Sequence, residues 1–464
     1  MNHTLKPILT IMIISIVHLL SSCEEFLDEK PEKSLVVPES LDDLAALLEF
    51  TQYMNNSLHL GIILADDYYT TDEGLQGFSY QWEREAYTWS MDLADDTGKM
   101  DAWSAPYAAI FYSNVVLEKL RDIAPQSSSD QQMMNTIKGK ALFYRASHYF
   151  ELSQYFAAPY PSGSSENPVQ GLPLKRNANV NERPAISDLE TTYRLIEEDL
   201  LEAADLLPGT ANYPYSPTQK AAWGMLSRFY LVKGDYEAAL RYANKTLEAQ
   251  AQLMDLAQLE ASGEVDLSDD GETFLEFNPE VIFHSQLPAY SYLYSSQAFV
   301  HPALYDKYAE GDLRKQFYYF EDPQNNGLAN FRGSYTGSYL VFGGLATDEL
   351  YLNKAECLAR LGDSESGLAA LNYLLERRHL PESFRPYTAS GQEEALDIIL
   401  LERRKELAFR GSIRWMDVRR LLGDPQRKVH ADRTVDGFQY GLGDEPADYL
   451  VQIPPYEQEL NGSL

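Results

Sequence analysis

Cysteine is almost missing: the 464 residues contain only Cys23 and Cys357. That excludes a disulfide-stapled fold and any cysteine-built zinc site. Histidine is also scarce, at eight residues, and no His-Glu-x-x-His pair occurs, so a zinc hydrolase has no visible ligand set. Neither a Gly-x-Ser-x-Gly elbow nor a P-loop is present, which removes the common local signatures of acyl and phosphoryl transfer. Positive charge is short as well, with 38 Lys and Arg against 70 Asp and Glu and a net charge of -32. Such a chain repels phosphate backbones, and nucleic acid is excluded as a general partner. Beyond the first two dozen residues no apolar run is long enough to span a bilayer. What is present is a globular composition, 44 % hydrophobic and 23 % charged, with 32 Tyr against 19 Phe. Rings with a polar handle suit wet binding surfaces.

Lys6 precedes an apolar run from Ile8 to Leu20, the length of a signal-peptide core and short for a membrane span. Leu20-Ser21-Ser22-Cys23 resembles the bacterial lipobox, in which small residues precede a cysteine that is lipidated and becomes the new N-terminus. Residues 1–22 are therefore expected to be a lipoprotein signal peptide and Cys23 the lipidation site. Each buried methylene of the acyl chains contributes about 0.8 kcal/mol, so two or more chains anchor a protein stably. Cys357 lies on a helical pattern and reads as a small buried hydrophobe.

Apolar residues recur at helical spacing through Leu41–Tyr53, Trp103–Leu120, Met133–Phe156, Leu189–Leu207, Gln219–Lys233, Tyr236–Ala249, Asp348–Leu361, Gly367–Glu376 and Glu393–Phe409, predicting a mainly α protein. Trp223 to Leu247, with Tyr230, Gly234-Asp235-Tyr236, Ala239 and Ala243, resembles one tetratricopeptide unit: helix, tight turn, helix. Leu358, Gly362-Asp363, Leu368 and Asn372 repeat the same positions, so interrupted helical repeats are expected over about 103–250 and 346–422. Residues 256–345 lack sustained helical period, are rich in Tyr and carry β-prone runs such as Val281-Ile282-Phe283. They predict a large, irregular, loop-rich insertion.

Longer segments then point to a family. Asp199 to Pro208, Lys220 to Leu231 and Gly234-Asp235-Tyr236 resemble the central helices of SusD/RagB proteins. Tyr351 to Glu356, and above all Glu402 to Phe409 with Arg414 to Arg419, are similar to the family's later signatures. Phe26-Leu27-Asp28, Gly171 to Leu174, Asp312 to Lys315 and Ile453-Pro454-Pro455 fit in order, whereas Glu459 to Gly462 is shortened. The resemblance implies one SusD-like domain over 23–464. It also implies a non-catalytic outer-membrane lipoprotein facing the extracellular side, which captures oligosaccharides or peptides and delivers them to a SusC-like TonB-dependent transporter. Glu24, Glu25, Asp28 and Glu29 resemble the surface-export signal of Bacteroidetes lipoproteins, although a solvated tether reads the same way. In the family the repeat helices face the transporter and the ligand lies on the irregular part, here about 54–102 and 256–345. A structural or protein-interaction lipoprotein using its repeat surface is the alternative.

Sugar rings stack on aromatic faces while polar groups orient their hydroxyls, so a glycan site needs rings beside carboxylates, amides or guanidinium groups. Two segments qualify: Gly77 to Trp89 with the following acidic loop, and Tyr290 to Tyr339. The candidate ligand residues are Tyr80, Trp82 and Asp95 from the first, and Tyr292, Tyr294, Tyr318, Tyr319 and Arg332 from the second. An extended chain would place Tyr290, Tyr292 and Tyr294 on one side. Trp89 and Trp103 match framework positions. Asp266, Ser268, Asp270 and Gly271 open like an EF-hand loop, but position twelve is Phe277, where calcium needs a bidentate Glu. No metal and no cofactor are expected. Seventy carboxylates leave a glycosidase pair open, but no local motif supports one. The basic cluster of Arg403, Arg404, Lys405, Arg410, Arg414, Arg419 and Arg420 reads as scaffold, with Glu406 four residues before Arg410 as a helical ion pair requires.

Overall fold

Capping residues set the long helices. Ser127, Asp188, Asp235 and Asp363 each accept a hydrogen bond from a backbone N–H three residues ahead, which satisfies a donor that the first helical turn leaves orphaned. The computed structural model describes residues 38–160, 169–268 and 271–462; the expected signal peptide, the expected lipidation site Cys23 and the acidic residues after it lie outside them. Nine helices carry the frame: α1 (Asp101–Lys119), α2 (Ser128–Phe156), α3 (Leu189–Leu206), α4 (Gln219–Lys233), α5 (Tyr236–Ala249), α6 (Thr347–Arg360), α7 (Ser364–Leu375), α8 (Gln392–Glu406) and α9 (Ile413–Arg420).

Each helix packs on its neighbour from α1 to α7, and α8 covers α6 and α7, as stacked helical hairpins do. The tight turns fall at the repeated Gly-Asp pairs. Gly234 and Gly362 have φ of +79° and +94°, a left-handed conformation that a side chain resists, and the following Asp caps the next helix. Cys357 is buried within α6.

Periodicity placed these helices well but misjudged several ends: α2 begins at Ser128, five residues before Met133, and α7 at Ser364, three before Gly367. Leu41–Tyr53 is two helices, Leu41–Leu48 and Thr51–Met54, because Phe50 leaves the helical region at φ -77°, ψ 81°. Similarly, α8 stops at Glu406, and Phe409 turns left-handed at φ +56°. The expected Glu406–Arg410 pair is therefore not made. Glu406 instead holds Arg314 at 3.2 Å and Arg378 at 2.7 Å, while Arg410 reaches Asp348 at 2.9 Å.

The basic cluster is spent inside the protein. Arg403 pairs with Asp417, Arg404 with Asp66 and Asp67, Arg414 with Asp66, and Arg420 with Glu356 and Asp417. Arg419 donates to the carbonyls of Tyr449, Ser153 and Ala157. A second buried network joins the insertion to the repeats. In it the carboxylates of Glu280, Asp312, Asp348, Glu402 and Glu406 meet the cations Arg314, Arg378, Lys405 and Arg410.

The insertion is irregular, as expected, with short helices and strands. Val281–Phe283 pairs antiparallel with Leu345–Ala346, where the chain returns to α6. A four-stranded antiparallel sheet has the order β1-β2-β4-β3, with β1 Tyr68–Tyr69, β2 Phe299–Val300, β3 Tyr319–Glu321 and β4 Ala329–Phe331. It draws the segment before α1 against the insertion, and so brings the two ring-bearing segments together.

Candidate functional site

One buried carboxylate organises the site. Glu83 occupies the third position of the helix Gln81–Tyr87 and accepts from the backbone N–H of Tyr80 at 3.0 Å, closing the helix start. The same side chain accepts from Ser291 Oγ at 2.6 Å and from the N–H of Tyr292 at 3.1 Å. Ser79 N–H donates to Ser291 Oγ at 2.8 Å. Two segments more than 200 residues apart are thereby fixed side by side.

The rings follow from that join. Tyr80, 51 % exposed, lies nearly parallel to Trp82, with centroids 6.2 Å apart and planes within 15°. Tyr290 stands edge-on to Trp82 at 5.0 Å and extends its hydroxyl towards Asp101 Oδ2 at 3.3 Å. Beneath them His59 packs 4.2 Å from Tyr290 and 5.1 Å from Trp82. Burial pulls the His59 imidazole down to about 3, so the floor stays neutral and apolar at ordinary pH. The upper face is an aromatic platform with Asp101 beside Tyr290, a surface suited to a flat, hydroxylated ligand.

A cavity of about 430 Å³ borders the other end of the short helix Ser291–Tyr294. Tyr294 and the 66 % exposed Tyr339 form its ring wall, edge-to-face at 5.1 Å, and Asn330, Asp322 and Arg332 line it. Arg332 also ties the insertion together, donating to the carbonyls of Gln316 at 2.6 Å and Leu267 at 3.2 Å.

Other expectations are corrected. Residues 291–294 are helical, not extended, so Tyr290, Tyr292 and Tyr294 do not share one side. Tyr292 is fully buried and donates its hydroxyl to the His59 carbonyl at 2.7 Å. It supports the platform from below and offers no free face. Tyr318 and Tyr319 are also core residues, the latter bonded to the Tyr308 hydroxyl at 3.0 Å; burial removes both from a ligand surface. Asp95 folds its own loop, with Oδ1 accepting from Thr97 N, Thr97 Oγ1 and Lys99 N at 2.7–3.0 Å. Those bonds, the Thr97 side chain foremost, hold its carboxyl below the usual range. Trp89 and Trp103 are core, as framework residues.

Glu83 and His59 are the contributors that sequence reasoning missed. A Glu three residues after a helix start is a recognisable capping pattern, but His59 carries no such signal. Among the described residues no group of three or more His, Cys, Asp or Glu is placed to hold a metal ion.

Comparison with known proteins agrees with this architecture. A family model described as starch-binding and associating with the outer membrane matches residues 25–231, and the SusD family model matches residues 347–461. SusD-like protein P2 of Formosa agariphila is 24 % identical, the alignment covering 90 % of this chain and 89 % of that one. A SusD superfamily protein from Bacteroides thetaiotaomicron superposes with a TM-score of 0.71 at 20 % identity, covering 91 % of this chain and 98 % of that one. A SusD-like carbohydrate binding protein from Bacteroides vulgatus gives 0.69 at 20 % identity, covering 92 % and 97 %.

Proposed function

We propose that this chain, which two SusD-type family models match over residues 25–231 and 347–461, is a lipid-anchored outer-membrane protein, facing outwards, that binds oligosaccharides across the Tyr80–Trp82–Tyr290 platform. It hands them unaltered to a SusC-like TonB-dependent transporter. The observation that carries this reading is the nearly parallel pair of the half-exposed Tyr80 and the partly buried Trp82, set beside Tyr290 by the bond between Glu83 and Ser291. Tyr294 and Tyr339, at the other end of the short helix Ser291–Tyr294, offer a second pair of rings. Asp101 beside Tyr290 and the net charge of -32 favour neutral or weakly cationic glycans over sulfated or uronic ones.

The test is a glycan binding screen with the full-length protein in mild detergent, alongside purification of the transporter complex from native membranes. Neutral oligosaccharides should bind, and affinity should change little between about 50 and about 500 mM salt, because stacking is not screened. Exclusive binding of a polyanion, lost at high salt, would overturn the site's chemistry. A preparation without a transporter-sized companion would overturn the delivery step.

A further inference from the structure

The second pair of rings is built differently from the platform. Tyr80 and Trp82 lie within 15° of parallel and make one flat face, whereas Tyr294 and Tyr339 meet at 81° and make a corner. The cavity they border encloses about 430 Å³, a volume within the usual range for small-ligand sites. Leu293, Phe320, Phe331, Val341 and Phe409 give it an apolar wall. Two of these rings, Phe331 and Phe409, are themselves stacked, 4.9 Å apart and within 9° of parallel.

The polar side chains of the lining are largely engaged by the protein itself. Asn330 donates to the carbonyls of Ala298 at 2.8 Å and Ser296 at 3.2 Å, and Ser334 to that of Leu340 at 2.7 Å. Asp322 accepts from the N–H of Gln324 at 2.9 Å. Few donors or acceptors among the described residues are left to orient the several hydroxyls of a sugar, which rely on placed polar partners. Charges of both signs border the cavity, Glu272 and Asp322 against Arg332, so charge alone selects no ion. The lining suits a neutral, flat, apolar group. A ring laid parallel to one of two perpendicular rings stands edge-on to the other, and offset-stacked and edge-to-face contacts are the two that aromatic rings prefer.

We propose that this cavity is a binding site for a neutral aromatic ring, distinct from the saccharide platform and independent of what the platform binds. The ring enters the corner between Tyr294 and Tyr339, with its substituent left at the mouth beside the exposed Tyr339. It is either a small free aromatic molecule or the aryl group of a glycoside, since both present the same chemistry to the wall.

The probes are phenyl, cyclohexyl and methyl β-glucoside, which share one sugar, and benzyl alcohol, which has none. Each is titrated into the full-length protein in mild detergent by saturation-transfer NMR, against a detergent-only blank. Phenyl β-glucoside should bind at least about threefold more tightly than cyclohexyl β-glucoside, and about tenfold more tightly than methyl β-glucoside. Tyr339→Leu keeps an apolar side chain and removes the ring. At 66 % exposure it should leave the fold unchanged and cut the preference for phenyl over cyclohexyl below about twofold. Trp82→Ala should leave that preference intact, so failure of the platform and failure of this site are read apart. Benzyl alcohol binding as tightly as phenyl β-glucoside would identify a free aromatic as the ligand, and weaker binding of benzyl alcohol a glycoside-borne aryl group. Equal affinity for the phenyl and cyclohexyl probes, a preference undiminished in Tyr339→Leu, or no binding of phenyl β-glucoside and benzyl alcohol alike would each overturn the proposal.

Discussion

Two neighbouring aromatic residues of the site should respond to substitution in opposite ways. Trp82 meets Tyr292 edge-on at 6.0 Å, yet only Trp82 keeps part of its surface open to solvent. Trp82→Ala should weaken oligosaccharide affinity by about 1–3 kcal/mol, as truncation of a central contact does, and leave thermal stability nearly unchanged. Tyr292→Ala removes a fully buried ring and its hydrogen bond to the His59 carbonyl, and should cost about 3–5 kcal/mol of stability. Calorimetric titration and denaturant melts distinguish them; a Tyr292→Ala protein as stable as wild type would contradict its place in the core. Tyr80 and Trp82 stood out in the sequence because they lie between framework residues in an otherwise polar stretch, which folds as the start of the helix Gln81–Tyr87. Tyr292 was misread because alternation assumes an extended chain, whereas Glu83 accepts the Tyr292 N–H and helps seat a helical turn at 291–294. Burial of Tyr318 and Tyr319 was equally invisible, since a tyrosine in a β-prone segment reads the same on either face of a sheet.

Between elements, charge decides what periodicity cannot show. The helices followed from apolar spacing, but the pairing of Arg314 with Glu402, 88 residues away, leaves no local trace. In the network joining insertion to repeats, five carboxylates face four cations, and His379, 3.7 Å from Asp312, is kept neutral by burial. One carboxylate is left over. Burial, only partly offset by Arg378, pushes Glu280 up from 4.5 to about 7. The folded state thus holds this proton more tightly than the unfolded chain. Below the ordinary glutamate range both states are protonated and nothing is lost; as pH rises through 4.5 to about 7 the unfolded chain gains by ionising. Above that the penalty is complete, of order 3 kcal/mol at about 1.4 kcal/mol per pH unit. Glu356 works in the opposite sense: against the effect of burial, Arg420 holds it down at about 2, so its contribution is full above 4.5 and lost as pH falls towards 2. The buried imidazoles of His59, His148 and His284, pulled down by burial, add stability as pH rises through 6.5, and Glu151, raised by burial to about 7, subtracts it as Glu280 does, so the Glu280 contribution is read as a difference between proteins. Glu280→Gln should gain stability over wild type as pH rises from about 5 to about 8, as urea midpoints of both proteins across that range would show. A difference that does not change with pH would show that Glu280 ionises in the folded protein as it does in the unfolded chain.

For the whole molecule, the net charge of -32 and the absence among described residues of a helix long and apolar enough to cross a membrane frame how it is held at a surface. Anionic lipid headgroups repel such a chain, so electrostatic adhesion does not retain it. Outside the described residues, Cys23 follows Leu20-Ser21-Ser22, and the acylation proposed there would anchor the chain: at about 0.8 kcal/mol per buried methylene, two chains hold a protein stably where one holds it only reversibly. The transporter proposed as partner is a second tether, so the anchor has to be tested without it. Expressed in a strain lacking the transporter, wild-type protein should stay with the outer membrane through a high-salt wash. Cys23→Ala should appear in the soluble fraction with its fold intact, since the change lies outside the unit Leu41–Leu464. Retention of Cys23→Ala on membranes under those conditions would mean that the repeat surface or the acidic tether binds the membrane directly, and the lipid anchor would then be the wrong explanation.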